Sequence, residues 1–348
     1  MTPSAPISVA LVGFGMAGRT FHAPLITATP GFVLRTVVSQ QGDAVRAALP
    51  AVRVTPSLRD ALDDAATELV VVATPTALHT EHALAALEAG KHVVVDKPFA
   101  TSVADATRVL DAARRAKRLA VAFQNRRFDS DYLTLRALVH GGAVGDVVHM
   151  DSHFDRYRPL VRDRWRERAG PGSGVWLDLG AHLVDQAVHL FGAPLAINAD
   201  LMQQRAGATS DDAFLATLRY ASHRVIVRAS SLAADHTLRF VVHGTLGSFE
   251  KHGLDVQERA LAAGAHPGGA DWGVDPEHGT LTVPQGDDMR SREVRPIPGD
   301  YRRFYEQLRD AIRADALPPV TPTEILTVMR VLDAGVESSA ARREVALA

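Results

Sequence analysis

Ile7-Ser8-Val9-Ala10-Leu11-Val12-Gly13-Phe14-Gly15-Met16-Ala17-Gly18 is the stretch that decides how this chain is read. An apolar run of strand length leads straight into glycines spaced G-x-G-x-x-G, and a helix-like segment follows. That context gives the spacing meaning, because such a turn wraps backbone amides around the phosphates of a dinucleotide. Gly13 permits the tight turn, Gly15 lets backbone approach a pyrophosphate, and Gly18 lets helix pack on strand. Phe14, Met16 and Ala17 complete the cradle, and the helix start behind it adds amide donors and partial positive charge. A glycine-rich turn without a ligand is the plainer alternative, and the strand pattern downstream weighs against it.

That pattern fills the first third of the chain. Short valine-rich runs at 7–12, 32–38, 68–73, 92–95 and 119–123 are apolar on both faces, as strands of a covered parallel sheet should be. Helical patterns at 76–89 and 102–116 lie between them, with Gly90 placed to end the first and Ser102 to cap the second. Alternating strand and helix with short connections predicts an α/β fold, a doubly wound Rossmann sheet over residues 1–123. Beyond it, residues 124–348 read as an α+β domain. Helices are expected at 131–140 and 180–191, then strands at 198–204, 213–220, 224–232 and 237–243 in an antiparallel sheet with one solvated or partner-covered face. The Gly-, Pro- and Asp-rich stretch 262–292 reads as long loops with one short strand. Helices near 301–314 and 322–342 close the chain, the last of them expected to pack back on the first domain.

Composition narrows the function. The 348 residues are 46% hydrophobic and 22% charged, with a formal net charge of −2, so no global pull toward nucleic acid or anionic membrane exists. Zero cysteines exclude disulfides, thiolate nucleophiles and thiolate-held metal. No run reaches bilayer-spanning length, and the opening residues lack a basic signal region, so a cytoplasmic location is expected.

Three further groups carry the chemistry. The place where an acid would bind the adenosine ribose of NAD reads Ser39-Gln40-Gln41-Gly42, which favours NADP, with NAD still possible. Arg46 and Arg19 are available to add charge there. Asp96-Lys97-Pro98 ends a buried strand and aims a lysine at the carboxyl edge of the sheet, where ligands of open α/β folds sit. Pro98 has no amide hydrogen and is compatible with a cis bond. Asp178 and His182 stand i, i+4, on one face if helical, and histidine is the natural general base near neutral pH. The plainer readings are a surface lysine at a turn, and a capping Asp178 with a packed His182. Gln124, Asn125 and Arg126 follow the last Rossmann strand and are placed to shape the cleft. Asp155, Arg156, Tyr157, Arg158 and Trp176 are candidates to bind or stack on hydroxylated substrate, and His79 to line the cofactor cleft. The remaining histidines show no metal-ligand spacing, so no metal is implied.

As an ordered set these motifs resemble the Gfo/Idh/MocA oxidoreductase family: Gly13–Gly18, Thr74-Pro75…His79…Gly90-Lys91-His92-Val93, Lys97-Pro98 and Asp178-Leu179-Gly180-Ala181-His182. Phe21-His22-Ala23-Pro24-Leu25-Ile26 and Phe154-Asp155-Arg156-Tyr157-Arg158-Pro159 are similar to a branch containing NADP-dependent scyllo-inositol dehydrogenases. The resemblance implies a Rossmann domain followed by an open-faced sheet that forms a homodimer or homotetramer. It also implies Lys97, Asp178 and His182 as the catalytic set, with Thr74, Pro75, His79, Pro98 and Asn125 beside the cofactor. Asp96 departs from the family's more frequent Glu, and Ala181 is a small neighbour to His182; both leave the small-molecule polyol or sugar open. Two rivals share the scaffold: a dinucleotide-sensing regulator without turnover, and a glycosidase using bound NAD.

Overall fold

Residues 5–347 are described in the structure, a computed structural model. The valine-rich runs form β1 (Ile7–Val12), β2 (Phe32–Val38), β3 (Arg53–Thr55), β4 (Leu69–Val72), β5 (His92–Val95) and β6 (Ala120–Ala122). Between them run α1 (Ala23–Ala28), α2 (Gly42–Ala48), α3 (Leu58–Leu62), α4 (His79–Glu88) and α5 (Val103–Ala116). The strands lie in the order β3-β2-β1-β4-β5-β6, and every pairing is parallel. All residues of β1 and β4 are buried, which suits β-branched side chains in a sheet covered on both faces. The order reverses between β1 and β4, the place where open sheets of this kind hold their ligands. Ser102 caps α5 as expected, its hydroxyl accepting the Asp105 amide at 3.1 Å.

The chain continues through α6 (Ser130–His140), β7 (Val147–His153), α7 (Ala181–Phe191), β8 (Ala196–Met202), β9 (Ala213–Arg219) and β10 (Arg224–Ser230). Then follow β11 (Leu238–Gly244), β12 (Gly247–His252), α8 (Gln257–Ala262), β13 (Gly279–Gln285), β14 (Asp288–Val294), α9 (Arg302–Ala314), α10 (Pro322–Ala341) and β15 (Val345–Ala346). The second sheet has nine strands in the order β14-β13-β12-β11-β7-β10-β9-β8-β15, antiparallel except for the parallel pair β7–β10. Burial alternates along β10, with Val225, Val227 and Ala229 inside, so one face packs and the other is partly solvated.

Two expectations are corrected. The stretch 262–292 holds not one short strand among loops but the end of α8 and most of a hairpin, β13 and β14, closed at Gly286 with φ 64°. Its second strand is exposed at six of seven positions, so no apolar alternation announces it. The division of the chain is also less simple than a single cut. One compact unit takes in the chain up to Asn125 together with Gln257–Trp272 and Asp300–Leu326; the other comprises Arg126–Val256, Gly273–Gly299 and the chain from Thr327 on. Aromatic packing explains the return to the first unit. Tyr301, Phe304, Tyr305 and Leu308 are fully buried, with Phe304 4.9 Å from Phe123 and Tyr305 5.5 Å from Phe32 between ring centroids.

Candidate active site

Each glycine of the first motif has a distinct physical reason to lack a side chain. Gly13 sits at φ +99°, and a Cβ there would stand 2.5 Å from the Ala73 carbonyl oxygen. A Cβ on Gly18 would stand 2.2 Å from the Gly13 oxygen, so that position enforces the close approach of the segment after the turn. A Cβ on Gly15 would meet nothing within 4 Å. Open space over an exposed glycine is what a pyrophosphate requires of the middle position, and the residues present fit a dinucleotide. Phe14 is 4% exposed and anchors the loop, whereas Met16 is 50% exposed at its tip. The segment that follows is a π-helical turn, Gly18–His22, running into α1.

At the end of β2, Ser39 is half-buried and its hydroxyl accepts the Gln41 amide at 3.0 Å, while Gln40 is exposed. Asp43 pairs with Arg46 at 3.0 Å, which leaves Arg46 partly neutralised as a source of charge. Arg19 is exposed on the π-helical turn.

After β5, Asp96 is buried and its carboxylate accepts the Lys97 amide at 2.9 Å; the Lys97–Pro98 bond is cis, and Lys97 is half-buried. Thr74 and Pro75 follow β4. His79 is 1% exposed, with Nδ1 2.9 Å from the Pro98 carbonyl oxygen and Nε2 2.9 Å from that of Thr74. It therefore braces two turns at the sheet's carboxyl edge. Beneath them His22 is fully buried, its Nδ1 2.7 Å from the Tyr305 hydroxyl and its ring 4.1 Å from that of Phe123. Burial pulls the His22 imidazole down to about 4, against the attraction of Asp96, so it is neutral at physiological pH. Asn125 is buried just beyond β6.

In the other unit, Asp178 belongs to a π-helical turn, Trp176–Gly180, and His182 to the first turn of α7. Asp211 holds the start of that turn: its carboxylate accepts the Trp176 amide at 2.6 Å and its carbonyl accepts the Val175 amide at 2.9 Å. Burial pushes the Asp211 carboxyl up to about 6, against the pull of these amides. Gly174, at φ +91°, lies so close to Asp211 that a Cβ would overlap its carboxylate. Such turns interrupt regular helix frequently at functional sites. Asp178 is half-buried, 3.5 Å from the Arg166 guanidinium, and His182 is 5% exposed. Asp178 also lines a pocket of about 410 Å³, open mouth included, with Arg156, Arg158, Arg164, Arg166 and Arg205 among its walls.

The candidate substrate groups divide. Asp155 is 4% exposed, pairs with Arg228 at 2.9 Å, and its Oδ1 has no hydrogen-bond partner among the described residues. Tyr157 is 56% exposed. Arg126 is buried, 3.3 Å from Asp129 and stacked 4.7 Å over the Phe154 ring. Trp176 is corrected: it is a core side chain, 1% exposed, with its indole N–H donating to the Leu332 carbonyl at 3.0 Å and its ring against Gly180, Gly335 and Phe214.

Comparison with known proteins gives this geometry its context. The family model described as "Oxidoreductase family, NAD-binding Rossmann fold" matches residues 7–123, and its partner, the C-terminal alpha/beta domain, matches residues 136–347. The chain belongs to the Gfo/Idh/MocA oxidoreductase family. Within that family it is 45% identical to the oxidoreductase YdgJ of Escherichia coli, covering 98% of this chain and 99% of that one. It is 36% identical to scyllo-inositol 2-dehydrogenase (NADP(+)) IolW of Bacillus subtilis, over 98% of this chain and 96% of the relative. The solved structure of the oxidoreductase yvaA from Bacillus subtilis superposes with a TM-score of 0.97 at 35% identity, covering 100% of both chains.

One feature of this Gfo/Idh/MocA protein escaped the sequence reading: Asp211 left no signal beyond an Asp-Asp pair in a polar stretch. The arginine wall was read in part, through Arg156 and Arg158; Arg164 and Arg166 stand two residues apart in the same way, and Arg205 joins them from a distant stretch.

Proposed function

We propose that this protein is a dehydrogenase that moves hydride between a nicotinamide, NADP in preference to NAD, and a secondary alcohol or ketone of a polyol, inositol or sugar. The observation that carries the proposal is the open space over Gly15 in a cradle whose other two glycines are sterically enforced. When bound, the nicotinamide supplies the hydride acceptor or donor. In the oxidative direction His182 takes the hydroxyl proton as general base, and Lys97 hydrogen-bonds the same oxygen and stabilises its developing negative charge. Asp178 positions His182 or anchors a neighbouring hydroxyl. His79 braces the turns that carry Thr74 and Pro98. The missing acid at Ser39–Gln40 is the support for NADP, since a carboxylate there would repel a 2′-phosphate.

The same reading makes the enzyme a cytoplasmic homodimer or homotetramer assembled through the nine-stranded sheet. Among the described residues no helix is long and apolar enough to cross a membrane. Inositols, aldoses and their keto forms, screened with NADPH and NADH by nicotinamide absorbance, test the assignment. Turnover of a panel member, faster with NADPH, is expected. Tight cofactor binding without any turnover would favour a sensing protein, and glycoside cleavage with retained nicotinamide would favour a glycosidase. Light scattering should return a dimer or tetramer mass, and a monomer would contradict the assembly.

A further inference from the structure

We propose that the arginine-walled pocket beside Asp178 is an anion subsite, so that the substrate carries a phosphate or carboxylate. This deepens the dehydrogenase reading and rests on it. Five guanidinium groups line the pocket, and among the described residues two carboxylates, Glu167 and Asp178, line it with them. The balance stays positive even when Asp212 and Asp211, which stand behind the lining, are counted with them. Guanidinium does not deprotonate in proteins, so the wall keeps its positive charge at any physiological pH and favours an anion over a neutral guest.

The acids on hand are already heavily shared. Arg205 is 4% exposed and takes Asp212 at 2.9 Å and Glu167 at 2.9 Å, and it donates to the Arg158 carbonyl at 3.1 Å. Glu167 also receives Arg164 at 2.5 Å. Asp178 meets Arg166 at 3.5 Å. The positive groups are held in place as well. Arg156 lies 4.8 Å over the Phe154 ring and Arg166 lies 4.5 Å over Trp165. Ser230 and Ser231 add hydroxyls to the same wall. Preorganised guanidinium forks match the oxygens of phosphate and carboxylate in paired hydrogen bonds. Asp178, proposed above to serve the reacting end, lines this same pocket, which ties the anion to the substrate and away from a remote surface patch.

The test is titration calorimetry on the full chain with inorganic phosphate, a hexose phosphate, a hexuronate and the neutral hexose. Phosphate and at least one charged sugar should bind well above the neutral hexose, and Arg158→Ala should weaken them roughly ten- to hundredfold, the loss of a charge-assisted pair. Arg158→Lys should recover part of that affinity and keeps the measurement available if the alanine variant folds poorly; Arg156→Ala is the second position. Preference for the phosphate arm or the uronate arm identifies the substituent. Equal affinity for charged and neutral sugars, or charged-sugar binding unchanged in both alanine variants, would overturn the proposal. Binding needs no turnover, so the two readings fail separately. Anions that bind without hydride transfer would sink the dehydrogenase reading alone, and rapid turnover of neutral polyols indifferent to Arg158 would sink the anion subsite alone.

Discussion

Replacing Gly13 and Gly15 by alanine, one at a time, should separate folding from cofactor binding. At Gly13 the backbone sits at φ +99° and the new methyl would lie 2.5 Å from the Ala73 oxygen, part of a buried strand end that cannot yield cheaply. Strained backbone of this kind costs about 1–3 kcal/mol, and forcing a methyl into packed surroundings costs about as much again. Gly13→Ala should therefore destabilise the protein by about 2–6 kcal/mol, seen as a clear fall in thermal midpoint. At Gly15 the methyl enters empty space, so stability should change by no more than about 0.5 kcal/mol, the range of ordinary surface substitutions. That space is the one assigned to the pyrophosphate. Denying one charge-assisted backbone contact is worth about 1.5–3 kcal/mol, so the NADPH Kd of Gly15→Ala should rise roughly ten- to hundredfold. Nicotinamide fluorescence titration measures the Kd and scanning calorimetry the midpoint. A Gly15→Ala protein that binds NADPH like the parent would refute the cradle, and one that unfolds early would refute the steric reasoning.

Other consequences follow from single residues. Asp131 and Arg239 are both fully buried and paired at 2.8 Å, so Asp131→Ala strands a guanidinium and should cost about 3–5 kcal/mol in thermal unfolding. Trp176→Phe should lose about 1–3 kcal/mol, through a missing hydrogen bond to Leu332 and lost ring volume, yet leave substrate KM unchanged; a raised KM at full stability would restore Trp176 to the substrate site. His22 gives a pH signature. Its folded pKa of about 4 lies below the unfolded 6.5, so the unfolded chain binds the proton first as pH falls. Its contribution is complete above about pH 6.5 and is lost progressively toward pH 4, reaching about 3 kcal/mol. Stability measured against pH should fall less steeply across that window in His22→Phe than in the parent, and equal slopes would show that His22 does not titrate there.

The fold was legible where one physical signal dominated. β1, β2 and β5 occupy the runs in which valine and isoleucine leave no other reading, and Ser102 caps where its hydroxyl and position require. The hairpin of β13 and β14 was hidden because pairing there rests on backbone hydrogen bonds between polar, exposed residues, although Gly286-Asp287 was a usable turn signal. The membership of α8 and α9 in the first unit is a long-range choice. Tyr301, Phe304, Tyr305 and Leu308 announce an apolar stripe but not which sheet receives it. At the site, the glycine cradle and the Asp178–His182 spacing could be read, but the π-helical form of the Asp178 turn and the support from Asp211 could not. Trp176 misled because an aromatic beside a catalytic motif satisfies a stacking role and a core role equally well in sequence. The alternating arginines after Asp155 were visible, yet a period of two reads as an exposed extended run until the chain folds them around one pocket.

The most direct measurement follows deuterium from reduced nicotinamide labelled at the hydride position into the product of a ketone substrate, in the parent and in His182→Ala, with NADPH affinity measured beside it. The account predicts one deuterium on the carbinol carbon in the parent. In His182→Ala it predicts transfer slowed by roughly 10²–10⁴-fold, with NADPH bound as before. Undiminished transfer in the variant would contradict it.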